Sequence, residues 1–173
     1  MAVARTSPTA AHDLPATRLA LLGEPLRLYR GGVIEHPVIA YESLGTLNAA
    51  RDNTLLLFTG LSPSAHAASS PADPKPGWWE SMIGAGKPID TDRFYVLCIN
   101  SIGSPYGSSS PTSIDPRTGR PCGITFPEVS LEDVARGGYE VLRQLGLETV
   151  ACVAGPSMGG MTVLAFAAQF PGV

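Results

Sequence analysis

At 173 residues, 44% hydrophobic and 16% charged, the chain has the composition of a globular domain with a sizeable core, which excludes a disordered polymer. A net charge of −3, with Lys and Arg scattered singly, offers no basic stripe, so nucleic acid is not an expected partner. No apolar run reaches the roughly 18 residues a membrane helix needs, and the Ala-rich start lacks the apolar core of a secretory signal; a cytoplasmic protein without membrane contact is expected.

Residues 1–25 read as a flexible tail and residues 26–173 as one domain. Residues 33–44 (VIEHPVIAYESL) are rich in β-branched and aromatic side chains and are interrupted by Pro37, which predicts an edge strand or hairpin. The unbroken apolar runs at 55–59 (LLLFT), 94–99 (FYVLCI) and 150–154 (VACVA) suit strands buried on both faces of a mostly parallel sheet. Between the first two lie Trp78 and Trp79, which read as packing residues on a short helix, and a charged turn formed by Asp90, Asp92 and Arg93. Gly84-Ala-Gly86-Lys87 has the look of a phosphate-loop ending, but Pro88 stands where that loop needs Ser or Thr, so the reading is rejected.

Residues 101–129 are dominated by Gly, Ser and Pro and predict a long shaped connection, with ordinary turn chemistry at residues 115–119. Residues 130–145 predict a helix, because Leu131, Val134, Val141, Leu142 and Leu145 share one face. Ser130 with Asp133 supplies a start signal, and Gly146 a stop. A second helix is predicted over residues 158–169, closed by Pro171-Gly172. Strands alternating with helices give an α/β domain. Three cysteines without a C-x-x-C pair predict no disulfide framework; Cys98 and Cys152 read as small buried hydrophobes, and Cys122 as a loop residue. No His, Cys or carboxylate spacing matches a metal site.

The chemistry concentrates at residues 155–160, GPSMGG. Gly155-Pro-Ser157-Met-Gly159 matches G-x-S-x-G, in which a sharp strand-to-helix turn lifts a serine hydroxyl above the sheet. The two glycines stand where strand and helix approach closely, so a Cβ at either would prop the turn open. An elbow serine also needs a base and two oxyanion donors. The Met158 backbone N–H supplies one donor, and the second is expected from the stretch TGLSPSAH, residues 59–66, after the earlier apolar run.

Over residues 26–173 the chain resembles the homoserine O-acetyltransferase and serine or homoserine O-succinyltransferase group of the α/β-hydrolase fold. The resemblance is carried by GWWESMIGAGKPIDTDRFYVLCINSIG (residues 77–103), GPSMGG and FPEVSLEDVAR. It implies the N-terminal part of a mostly parallel sheet flanked by helices, ending after the elbow helix. It also implies a Ser-Asp-His triad, a ping-pong transfer through an acyl-serine, and acyl-CoA as donor to the hydroxyl of L-homoserine or L-serine, in methionine or cysteine biosynthesis. No bound cofactor or metal is implied, and the complete family enzyme is expected to be a homodimer. Ser157 matches the nucleophile, and Leu61 and Met158 the residues whose amides form the oxyanion hole. Gly60, Leu61, Ser62 and Pro63 form the loop that distinguishes donors and favour succinyl-CoA, with acetyl-CoA the alternative.

The chain departs from the family pattern at Pro105 and Ser110, where Cys and Gly are usual, and at Cys122, where Tyr is usual. The family's triad Asp and His follow the nucleophile by more than the residues present here, and His12, His36 and His66 all precede Ser157. The expectation is therefore the N-terminal portion of a longer enzyme, inactive by itself. His66 reads as a loop residue that shapes the pocket or faces solvent, not as a substitute base. The other readings are an esterase or thioesterase on the same scaffold, or a non-catalytic fragment.

Overall fold

The computed structural model describes residues 14–173; His12 and the first half of the expected tail lie outside the described residues. The strands are β1 (Arg18–Leu21), β2 (Leu26–Arg27), β3 (Val33–Ile34), β4 (Val38–Leu44), β5 (Thr54–Phe58), β6 (Ile83–Gly84), β7 (Ile89–Asp90), β8 (Tyr95–Ile99), β9 (Ile114–Asp115), β10 (Arg120–Pro121) and β11 (Cys152–Ala154). Among the described residues the α-helices are α1 (Leu131–Gln144) and α2 (Met158–Gln169), with a short 3-10 turn at Gly123–Thr125. Five strands form the central sheet in the order β1-β4-β8-β5-β11, and the remaining six pair locally as β2–β3, β6–β7 and β9–β10.

Several expectations are corrected. The sheet is mixed: β5 is parallel to β8 and β11, while β4 is antiparallel to β1 and β8. The tail expected over residues 1–25 ends sooner, since Arg18–Leu21 pairs with Val38–Tyr41. Of the edge strand or hairpin expected over residues 33–44, a hairpin forms at its start, where Val33–Ile34 pairs with Leu26–Arg27, whereas β4 is not an edge: it lies inside the sheet, and Pro37 precedes its first residue, where no ladder hydrogen bond is demanded of it. Trp78 and Trp79 stack at 5.4 Å on a series of turns, without a helix.

Alternation along the buried strands builds two cores. Leu56 and Phe58 of β5, with Leu97 and Ile99 of β8, face Val134, Val141 and Leu142 of α1 and Phe166 of α2. Leu55, Leu57, Val96 and Cys98 face the other way, against Ala65, Ala67, Ala68, Ile83 and Ile89. Among the described residues both helices thus cover one face, and the irregular connection between β5 and β8 covers the other, in place of helices on each side. Each fully buried Leu or Phe contributes about 1.5–3 kcal/mol.

Local chemistry fixes the parts. The Ser130 amide donates to Asp133 Oδ2 at 2.8 Å, and Asp133 Oδ1 accepts from the Tyr29 amide at 2.7 Å, so one buried carboxylate caps α1 and ties the β2–β3 hairpin to it. Gly146 at φ 67° ends the helix; its amide reaches the Arg143 carbonyl and the Leu147 amide reaches that of Leu142, a Schellman pair. The serine run after β8 extends the sheet. Ser109 Oγ and Ser108 Oγ accept the Val38 and Ala40 amides at 2.9 and 3.0 Å, which lie beyond the end of β8.

Candidate active site

β11, a turn and α2 follow one another as the G-x-S-x-G pattern predicts. Ser157 sits at the bend with φ 52° and ψ −121°, a combination that costs a non-glycine residue about 1–3 kcal/mol. Its side chain is exposed and makes no capping hydrogen bond to the helix it precedes, so its hydroxyl is not spent on local structure. The glycines around it have no room for substitution. A Cβ at Gly155 would lie 2.5 Å from the Gly159 carbonyl carbon, and one at Gly159 would lie 2.4 Å from the Phe58 carbonyl oxygen. Gly159→Ala is accordingly expected to push α2 off the end of β5 and destabilise the fold by about 1–3 kcal/mol, read as a lower midpoint in a denaturant melt.

The first turn of α2 satisfies part of its own amides. Gly159 N–H reaches the Pro156 carbonyl at 2.8 Å and Gly160 N–H that of Ser157 at 2.9 Å. Among the described residues, the Met158 amide finds no protein acceptor, and neither does that of Leu61. An unpaired N–H at a helix N-terminus is where developing negative charge is best received. The two segments adjoin: a Cβ on Gly60 would lie 3.8 Å from the Pro156 carbonyl oxygen. Gly60 is buried, while Leu61, 77% exposed, and Ser62 face solvent and Pro63 is half-buried. At the ends of the parallel strands beside them, the Thr59 and Ser101 hydroxyls meet at 3.3 Å.

The connection that carries Leu61 is pinned from several sides. Trp78 Nε1 donates to the Ser64 carbonyl at 2.9 Å, and the Trp79 amide to that of Ala67 at 2.8 Å. Glu80 accepts from the Ser69 and Gly77 amides, which hold its carboxyl at about 2. His66, expected to shape the pocket or face solvent, does not face solvent but is buried: its Nδ1 lies 3.0 Å from Glu42 Oε2 and its Nε2 2.8 Å from the Lys75 carbonyl oxygen. Neither ring nitrogen is free to take a proton from Ser157. His36 is exposed in the turn before β4.

Two sequence readings of cysteine divide. Cys98 is buried, as expected, and burial pushes its thiol up. Cys152 is exposed, because β11 is an edge of the sheet among the described residues. A cleft of about 530 Å³ lies elsewhere, between the β2–β3 hairpin and the β9–β10 ladder, lined by His36, Cys122 and Phe126 among others; neither Ser157 nor Leu61 touches it. Among the described residues no helix is long and apolar enough to cross a membrane.

A mixed α/β sheet with a strained serine at a strand-to-helix bend defines an α/β domain of the kind on which many hydrolases and transferases are built. A family model described as the alpha/beta hydrolase fold matches residues 53–173, and the chain belongs to that family. It is 54% identical over 157 residues to the L-serine/homoserine O-acetyltransferase of Streptomyces lavendulae, covering 91% of this chain and 42% of that protein. It is 56% identical over 157 residues to the serine O-succinyltransferase of Litchfieldella anticariensis, covering 91% of this chain and 43% of that one. The solved structure of esterase E22 superposes with a TM-score of 0.82 at 37% identity, covering 90% of this chain and 44% of the other. The chain thus spans less than half the length of these relatives.

Proposed function

We propose that the protein is an O-acyltransferase of amino-acid biosynthesis that moves an acyl group from acyl-CoA to the hydroxyl of L-serine or L-homoserine through an acyl-Ser157 intermediate. The observation that carries this is the Ser157 backbone, held at φ 52° at an exposed bend with its hydroxyl uncommitted. Strain of this kind persists only where surrounding packing enforces it, and the reading is supported by the unpaired amides of Met158, the next residue, and of Leu61, which follows the Gly60 that adjoins Pro156. The serine and homoserine acyltransferases among its relatives support the acceptor class.

In the first half-reaction Ser157 Oγ attacks the thioester carbonyl carbon, the amides of Leu61 and Met158 receive the oxyanion, and the C–S bond breaks to release CoA as its thiol. In the second, the acceptor hydroxyl attacks the acyl-serine and Ser157 regains its proton. The family resemblance assigns the proton-carrying base to a histidine that follows the nucleophile; His66 does not fill that role, since both its nitrogens are engaged. The loop of Gly60, Leu61, Ser62 and Pro63 favours succinyl over acetyl as the donor group.

With succinyl-CoA, the protein as expressed from its own gene is expected to gain one succinyl mass on the peptide containing Ser157. An unmodified Ser157 during full turnover would overturn the covalent route. Hydrolysis is the second reading, favoured by the likeness to esterase E22. Adding L-serine or L-homoserine separates the two: a transferase consumes the acceptor, whereas a hydrolase releases free acid at an unchanged rate.

A further inference from the structure

Behind the oxyanion loop lies a charge cluster that the proposed chemistry does not use. Glu42 on β4, His66 and Asp73 are 2%, 8% and 1% exposed. His66 Nδ1 approaches Glu42 Oε2 at 3.0 Å and Asp73 Oδ2 at 4.0 Å, and Nε2 approaches the Lys75 carbonyl oxygen at 2.8 Å. The second Glu42 oxygen accepts the Thr17 hydroxyl at 2.7 Å. A backbone carbonyl cannot donate, so Nε2 carries a proton, and with Glu42 as an acceptor-only carboxylate Nδ1 must carry one too. A neutral imidazole has one N–H and would leave a buried acceptor facing a lone pair. The geometry therefore calls for an imidazolium.

We propose that His66 is a positioning residue: as a buried imidazolium bonded to Glu42 and the Lys75 carbonyl, it anchors the segment that holds the Leu61 amide at the oxyanion position. The anchor and the amide are close in sequence and joined by a braced chain. The His66 amide bonds Ser64 Oγ at 3.2 Å, the Ser64 carbonyl accepts the Trp78 indole, and the Trp78 amide donates to the His66 carbonyl at 3.3 Å. The Leu61 side chain is exposed and has no such packing, so its amide is held between buried Gly60, which follows β5, and the braced residues C-terminal to it. Burial alone would lower the imidazole's pKa. The Glu42 hydrogen bond, the Lys75 carbonyl and the charges of Glu42 and Asp73 outweigh it and hold the ring above its ordinary 6.5. From the sheet, the Cys98 thiol on β8 stands across from Glu42; burial and the Glu42 charge keep it protonated.

This inference rests on the acyltransferase reading only for the meaning of the Leu61 amide, and two measurements keep the two apart. In the unaltered protein with nitrogen-labelled histidine, NMR is expected to show both His66 nitrogens protonated at pH 6.5, with the Leu61 amide resonance moving at the same midpoint as His66 deprotonates. A His66 ring with one bare nitrogen at that pH, or a Leu61 resonance that stays put while His66 titrates, overturns the proposal. In parallel, His66→Asn is expected to slow acylation of Ser157 about 10- to 100-fold, with KM for the acyl donor changed less than about twofold. His36→Asn, exposed in the turn before β4, is the control. His66→Asn acylating within about twofold of the unaltered protein also overturns it. If that variant does not fold, the titration decides alone. If the unaltered protein never acylates Ser157, the acyltransferase reading fails while the coupling of Leu61 to His66 is still judged by NMR.

Discussion

Replacing Ser157 with alanine is expected to lower acyl transfer by about four to six orders of magnitude while leaving the stability of the fold unchanged. The size follows from the role: a residue that forms the covalent intermediate takes the whole of its pathway with it, and what survives comes from binding and the oxyanion donors. The unchanged stability follows from the backbone. Serine and alanine meet the same steric penalty at φ 52°, so the substitution relieves no strain, and the lost hydroxyl makes no capping bond. Ser157→Gly is the informative companion, because glycine adopts that torsion freely and gains up to about 1 kcal/mol where the torsion had been strained. Steady-state rates with succinyl-CoA and L-serine or L-homoserine, set beside thermal melts of the two variants, check both halves. An alanine variant retaining more than about 1% of the activity would remove Ser157 from the chemistry.

His66→Ala is expected to cost about 3–5 kcal/mol, roughly 6–20 °C in melting temperature for a chain of this size, because it leaves Glu42 and Asp73 buried without their cation. The effect depends on pH in a defined direction. The folded pKa of His66 is raised above its ordinary 6.5, so its stabilising contribution is fully present below about pH 6.5 and is lost as pH rises through the raised value. The gap in melting temperature between the unaltered protein and the variant should therefore be widest on the acid side of that window and narrow above it. A gap that widens with rising pH would mean that the ring is neutral in the folded protein.

Features written into adjacent residues were legible in the sequence. α1 and α2 appear where helical spacing, Ser130, Asp133 and Gly146 place them, because periodicity and caps act within a few residues. The elbow was legible for the same reason: the close approach of Gly155 to Gly159 is a contact between near neighbours. What sequence did not disclose is set by distant partners. β4 reads as an edge strand until β1 pairs along it, and β1 itself shows only one buried residue in four. Cys152 reads as core from its apolar neighbours, although its place at the end of the strand order exposes it. The Glu42–His66–Asp73 cluster draws on three segments; the one hint was a glutamate inside the otherwise apolar run VIAYESL, a position where a charge needs a partner.

The two sides of the sheet are built from different material, and this shapes how the molecule would come apart. On one side, long helices each lock many backbone groups into a repeating ladder, so that half should yield only in a cooperative event. On the other, a wandering chain is fastened at discrete points, by Trp78, Glu80 and His66, and such fastenings can release one at a time. The amide of Leu61 belongs to the second material and that of Met158 to the first. The two amides proposed to receive the oxyanion are thus mounted on parts of unequal rigidity, and a small local opening of the second would silence the proposed chemistry before the helices register any loss.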